Sequence, residues 1–315
     1  MKNRKKRDTI LKNFWKDNEH FADLFNTVLF QGEKVIDPDK LTEKDSDVSD
    51  ILKMKEHSET MERYRDVIKK NFDGAEYVVY GIENQMSVNY AMPLRNMVYD
   101  ALGYLQEYEE LVRQNRKEKK WTNSAEFLSG LKKTDRLQPV ITLVVYYGET
   151  PWDGPMSLCD MLKVSDKWKG LVSDYQMHLL QILDTEKYEF QNEDVQTVFE
   201  ISRHILQKDF QIIQEKYENR YIPSSIGMCI GAITNHKQIL RDAEQEGEMN
   251  MCRALEELEE KGRMEGRLEE RNTILENMIR TGLAAEEIVR YAGVALEEVR
   301  QVQKNIAEKM KTVPA

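Results

Sequence analysis

The stretch VYGIENQMSVNYAMPLR (Val79–Arg95) decides how this chain is read. Val79, Tyr80, Gly81 and Ile82 have the β-branched and aromatic character of a strand. That strand finishes on Glu83 and Gln85, just before a helix opened by a proline. Side chains alternate along extended backbone, so Glu83 and Gln85 point the same way if the strand continues to residue 85. Upstream, ERYRDVIKK (62–70) also has strand character. It is separated from EYVVYGIE (76–83) by NFDGA, whose Asp73–Gly74 is a strong hairpin signal. The partner strand then contains Asp66. Counted outward from the turn, Asp66 falls within about three residues of Glu83, a gap that a bulge or a longer loop would close.

Two acids converging at a sheet end suit a hard divalent cation, which takes oxygen ligands and leaves room for water and phosphate. Such an ion lowers the pKa of bound water and stabilises charge on a phosphodiester oxygen. On spacing alone, the plainer reading of two solvent-facing acids at a hairpin end is the stronger one.

Residues 8–30 read as one helix, with Ile10, Leu11, Phe14, Phe21, Leu24, Phe25 and Val28 at helical spacing. EKVIDPDKL (33–41) reads as a short strand ending at Pro38, followed by a charged linker to about residue 60. From Met92 a helix presents Leu94, Met97, Val98, Ala101, Leu102 and Leu105, and RQNRKEKKW (113–121) ends it. QPVITLVVYYGETPW (138–152) is a continuous apolar run, the composition of a central buried strand. YQMHLLQIL is a further strand-like run, and helices follow to about residue 236.

The chain has 315 residues, 32% of them charged, a net charge of −10 and a mean hydropathy of −0.66. That charge excludes a protein that coats nucleic acid non-specifically, but local basic patches and bound cations can reverse the field at a site. Cys159, Cys229 and Cys252 are widely spaced and lack metal-ligand or disulfide spacing, so they read as buried free thiols. No apolar run follows the basic MKNRKKR, and PVITLVVYY is about half of a membrane span. The expectation is a soluble, cytoplasmic protein with no membrane partner. The five histidines are scattered, and the glycine patterns of an NTPase or an α/β-hydrolase are absent.

Several segments resemble the recombination-promoting nuclease / putative transposase family, within the PD-(D/E)XK nuclease superfamily. They are FADLFN (21–26), RYRDVI (63–68), GIENQ (81–85), YAMPLRNMVYD (90–100) and PVITLVVYYGETPWDG (139–154). The similarity covers roughly residues 14–162 and continues weakly into the tail, where GRMEGRLE echoes the family's Glu-Gly-Arg units. The resemblance implies an α/β fold, a PD-(D/E)XK nuclease-like core with a mixed central sheet flanked by helices and a helical C-terminal extension. It also implies Mg2+- or Mn2+-dependent DNA cleavage associated with recombination.

Carried over by position, Asp66 and Glu83 would bind the metal and Gln85 would orient the attacking water. Many relatives in the wider superfamily have lysine where Gln85 stands, although glutamine is usual in the narrower family. A carboxamide offers a dipole where lysine offers a full charge, which points to another cation as compensation. Arg95 is the candidate, sharing a helix face with Tyr99 at i and i+4, where it would clamp a phosphate. A structural ion pair with Glu83 or another acid is the rival role for Arg95. Asp23 or Glu19 on the first helix are candidates for a further acid, with a surface role favoured for either. Ala22 follows Phe21, where family members commonly carry lysine. Arg113, Arg116, Lys117, Lys119 and Lys120, together with the N-terminal basic run, are candidate DNA contacts, with a solvated helix end the stronger reading. Trp152 reads more readily as a core cap than as a base-stacking ring.

A nuclease-like domain is expected over residues 1–236, with its core at about 8–185 and a helical part at 186–236. Residues 237–315 are expected to form one long charged helix to about 280 and a compact helical end, which together make an oligomerising stalk. Its apolar seam is too sparse for a strong coiled coil. Leu283, Ile288, Val294, Leu296 and Val299 would bury between two short units begun after Gly282 and Gly293. The expected function is a DNA endonuclease. The alternative is an inactive DNA-binding or assembly protein that retains the nuclease fold.

Overall fold

A computed structural model of the chain describes residues 2–43, 66–72, 77–218, 220–245 and 247–311. The chain divides into two compact units, Met1–Met251 and Cys252–Ala315. The first unit begins with α1 (Lys2–Lys16), α2 (Asn18–Leu29), β1 (Leu41–Glu43), β2 (Val67–Phe72) and β3 (Tyr77–Gln85). Then follow α3 (Met92–Glu118), α4 (Ser124–Ser129), β4 (Val140–Tyr146), α5 (Leu158–Met161), α6 (Asp166–Lys169) and β5 (His178–Gln181). It closes with α7 (Glu193–Gln207), α8 (Phe210–Tyr217), β6 (Tyr221–Pro223), α9 (Ser224–Thr234), α10 (Lys237–Gln245) and β7 (Glu248–Asn250).

One sheet of five strands runs in the order β1-β2-β3-β4-β5. The first three strands are antiparallel, while β3, β4 and β5 run parallel. The parallel step from β3 to β4 requires a crossover, and α3 supplies it. Alternation sorts the sheet into two faces. Tyr80 packs edge-on against Phe25 of α2 at 5.1 Å, and Trp15 of α1 reaches Tyr147, the residue just after β4. On the other face, Thr142 donates to Asp100 of α3 at 2.7 Å. Leu143, Val144 and Val145 are fully buried between the two helical layers, which explains the unbroken apolar run in β4.

The expected single helix over 8–30 is two helices. Asp17 breaks it, its carboxylate accepting the Glu19 and His20 N–H groups at 2.8 and 3.1 Å as an N-cap. The break is held from β2 by Lys69, a fully buried lysine. Its ammonium donates to the Lys16 carbonyl at 2.6 Å and to Asn18 Oδ1, and lies over the Phe21 ring at 5.1 Å. Burial pushes the Lys69 pKa down to about 8, with Glu43 and Asp17 pulling the other way. The short strand expected to end at Pro38 is not formed, and β1 begins only at Leu41. Pro38, which has no N–H to give a ladder, instead opens a short 3-10 turn capped by Asp37.

The Asp73–Gly74 turn, residues 62–65 and the linker from residue 44 lie outside the described residues. The register does fix the strands on either side of the turn. Phe72 faces Tyr77, so four residues, 73–76, separate the strand ends. That longer connection closes the gap between Asp66 and the end of β3.

The long charged helix expected from 237 to 280 is interrupted. β7 pairs with β6, and α10 folds back on α9. Two glycines of α9 admit this approach: a Cβ on Gly227 would sit 2.0 Å from Met249 Sδ, and one on Gly231 would sit 2.9 Å from Leu240 Cγ. Residues 237–251 therefore belong to the first unit, and the boundary falls after Met251 where the sequence placed it after 236.

The second unit contains α11 (Met251–Arg280, from Cys252), α12 (Ala285–Ala292) and α13 (Leu296–Lys311). Leu275, Ile288, Val294, Val299 and Val302 form its core, with Leu283 partly buried against them. Gly282 and Gly293 take positive φ, +84° and +63°, at the two turns. Among the described residues, no helix is long and apolar enough to cross a membrane.

The Lys69→Met substitution keeps the apolar stem but leaves the Lys16 carbonyl and Asn18 without their donor. It is expected to destabilise the first unit by about 1–3 kcal/mol, read as a lower midpoint in urea unfolding. An unchanged midpoint would show that the ammonium is not needed at the break.

Candidate active site

The end of β3 is gripped from both sides. Asp66 stands just before β2, and its N–H donates to the Ile82 carbonyl at 3.0 Å. Val67 is the register partner of that same Ile82. Two residues set against one is the arrangement of a β-bulge, a device that re-aims a side chain at a strand end. The Asp66 carboxylate then returns to the strand, Oδ2 accepting the Asn84 N–H at 2.8 Å. Glu83 lies between these two anchor points in the chain, and both carboxylates act on the same guanidinium, that of Arg95.

Each acid meets a cation from a different helix. Glu83 is buried at 2% exposure, and Arg95 of α3 reaches its Oε2 at 3.5 Å. Arg95 also donates to the Tyr99 hydroxyl at 3.2 Å and lies over that ring at 5.6 Å. Desolvation works against the Arg95 charge, but the Tyr99 hydroxyl and the carboxylates of Glu83 and Asp66 outweigh it and hold the guanidinium above its ordinary range. On the other side, Lys12 of α1 comes within 3.2 Å of Asp66 Oδ1. Gln85 is half-buried at the last position of β3, level with Tyr146. It lies on the Glu83 side by strand alternation.

Lys12 is absent from the sequence candidates, which looked for first-helix charge near residue 22. One signal does point to it: Lys12 sits beside Leu11 and one turn before Trp15, two fully buried side chains that fix the helix. A second path from α1 leads to the same acid. Trp15 Nε1 donates to the Tyr147 hydroxyl at 3.0 Å, and that hydroxyl donates to Asn84 Oδ1 at 2.9 Å. Asn84 in turn holds Asp66 through its backbone N–H. Burial keeps the Tyr147 phenol protonated, its pKa well above the usual range.

The other candidates lie apart from this cluster. Asp23 is buried and committed to the backbone, its two oxygens accepting the Gln191 and Asn192 N–H groups at 2.9 and 3.1 Å where α7 begins. Glu19 is exposed in the first turn of α2. Arg113, Arg116, Lys117, Lys119 and Lys120 are exposed at the far end of α3, about 27 Å along the helix from Arg95 to the first of them. Trp152 packs edge-on to Tyr146 at 5.2 Å, against the cluster of Met92, Val144 and Met177, and so caps the core. A cleft of about 540 Å3 opens between Tyr90 and residues 153–161, and its acids Asp153 and Asp160 make it a poor seat for phosphate.

The donors at the β3 end are oxygens: two carboxylates and a carboxamide. Among the described residues, no group of three or more His, Cys, Asp and Glu side chains is placed to hold a metal ion. Two carboxylates suit a hard cation that keeps waters and takes substrate oxygens, and the histidine and cysteine ligands that usually anchor zinc are not among the donors at this strand end.

A model of the family described as "Putative transposase, YhgA-like" matches residues 5–221. The chain belongs to this family. The YhgA-like match takes in Lys12, Asp66, Glu83, Gln85 and Arg95, together with all five strands of the main sheet. No curated protein and no solved structure matches the chain.

Behind the site, Asp100 lies at the level of Gly81 and Thr142. Burial pushes its pKa up to about 7, against the pull of the Thr142 hydroxyl. The folded state therefore holds a proton that the unfolded chain releases near pH 4. This contribution to stability is full below about pH 4 and is lost as pH rises to about 7. An Asp100→Asn variant should be more stable than wild type at pH 8 by about 2–4 kcal/mol, with the difference shrinking below pH 5. Melting curves at both pH values check this, and a gap independent of pH would refute it.

Proposed function

We propose that this YhgA-like chain is a metal-dependent DNA endonuclease serving transposition or recombination. The observation that carries the reading is the cluster at the end of β3, where Asp66 and Glu83 both act on the Arg95 guanidinium and helices on the two faces of the sheet supply one cation each. The order of helices, antiparallel strands, crossover helix and parallel strand supports a PD-(D/E)XK-type core. Membership of a transposase-like family supports DNA as the substrate.

In this reading Asp66 and Glu83 hold Mg2+ or Mn2+, which lowers the pKa of a bound water when present. Glu83 is held in place by Arg95, and Asp66 by the Asn84 N–H. Gln85 accepts a hydrogen bond from the attacking water and orients it. The water oxygen would bond to phosphorus as the bond from phosphorus to one ester oxygen breaks, and the proton the water gives up would end, through solvent, on that departing oxygen, which leaves as a hydroxyl. One strand end then carries a phosphate monoester. Arg95, released from part of its pairing with Glu83, faces the non-bridging oxygens.

Plasmid nicking with Mg2+ or Mn2+ tests the reading. Asp66→Ala and Glu83→Ala should each lower the rate by about a hundredfold or more. Equal rates in wild type and both variants would overturn the assignment. The glutamine at position 85, where many superfamily relatives have lysine, favours one rival: a non-catalytic DNA-binding or assembly protein on the same fold. Calorimetry that finds DNA binding but no uptake of millimolar Mg2+ or Mn2+ would select that rival.

A further inference from the structure

We infer that Lys12, on the first helix, supplies the positive charge that Gln85 cannot, and that it contacts the phosphate of the substrate. This deepens the endonuclease reading and rests on it. Three observations lead there.

The first is position. Lys12 Nζ is 3.2 Å from Asp66 Oδ1, while the other oxygen of that carboxylate is taken by the Asn84 N–H. The ammonium therefore stands on the outward side of the acid. Its side chain is 40% exposed and that of Asp66 is 18% exposed, so an incoming polyanion can reach it.

The second is rigidity. Lys12 is flanked by the fully buried Leu11 and Trp15, and the Trp15 indole is hydrogen-bonded through Tyr147 to Asn84, the residue that holds Asp66. At its N-terminal end the same helix is tied down by Arg7, whose Nε donates to the Ala232 carbonyl at 2.6 Å and whose Nη1 donates to Asn235 Oδ1 at 2.9 Å. A surface ion pair of this kind adds little to stability. A helix pinned at both ends of the relevant turns gives this one a fixed place.

The third is charge balance. Asp66 and Glu83 carry two negative charges, and Lys12 and Arg95 carry two positive ones. A divalent cation between the acids leaves this neutral set with a surplus of two positive charges. A phosphodiester anion and a developing hydroxide offset that surplus. Lys12, no longer needed by Asp66, turns to the phosphate oxygens, and Arg95 does the same from the opposite helix.

The test uses the full chain, with Mn2+ binding followed by calorimetry and plasmid nicking followed in parallel. Lys12→Met should bind Mn2+ as tightly as wild type or more tightly, since a competing counterion is gone, yet nick DNA roughly a hundredfold more slowly. Lys12→Arg, which keeps the charge, should restore most of the rate. Asp66→Ala should lose Mn2+ binding. Wild-type nicking by Lys12→Met would overturn the role of Lys12 while leaving the endonuclease reading intact. Loss of Mn2+ binding by Lys12→Met, as in Asp66→Ala, would overturn it too, by showing that Lys12 only shapes the acid. A wild type that takes up no Mn2+ would bring down the endonuclease reading and this inference together.

Discussion

A carboxylate at 2% exposure is costly to hold in a fold unless a cation stands close by, because a buried charge needs a partner. The end of β3 meets this constraint with Arg95 from one face of the sheet and Lys12 from the other. The electrostatics of two side chains thus set where α1 and α3 place their charged turns. The apolar packing of Leu11, Trp15 and Met92 supplies the energy that keeps them there.

The residues after the family match are part of the same construction. The match ends at residue 221, inside β6, yet α9 follows at once and buries Ile226, Ile230 and Ile233. Its carboxyl end receives the Arg7 side chain. Lys12 is therefore positioned in part by residues beyond the matched span, and the close approach at Gly227 and Gly231 brings in α10 and β7 as backing for α9.

Much of this was legible in the sequence. The apolar run of β4 and the pairing of Glu83 with Gln85 could be read from residue type and spacing. So could the Met92 helix with Arg95 and Tyr99 on one face, and the glycine-led turns of the C-terminal unit. What could not be read depended on contacts between distant segments. The helix break at Asp17 needs Lys69, fifty-odd residues away, to satisfy the exposed carbonyl. β7 exists only because β6 is there to pair with it. Asp23 looked like a spare acid until the α7 entrance was seen to use both of its oxygens. Lys12 was hidden because a lysine on an amphipathic helix ordinarily reads as solvated surface.

The line of hydrogen bonds from Trp15 to Asn84 passes through the Tyr147 phenol, which keeps its proton across the physiological range. Such a line can transmit neither protons nor a change of charge. It behaves as a strut, setting a distance between the helix that brings a cation and the backbone that holds an acid. Acidification or alkalinisation within that range would leave the spacing untouched, so a pH response of the site must come from other groups, such as Asp100 behind it.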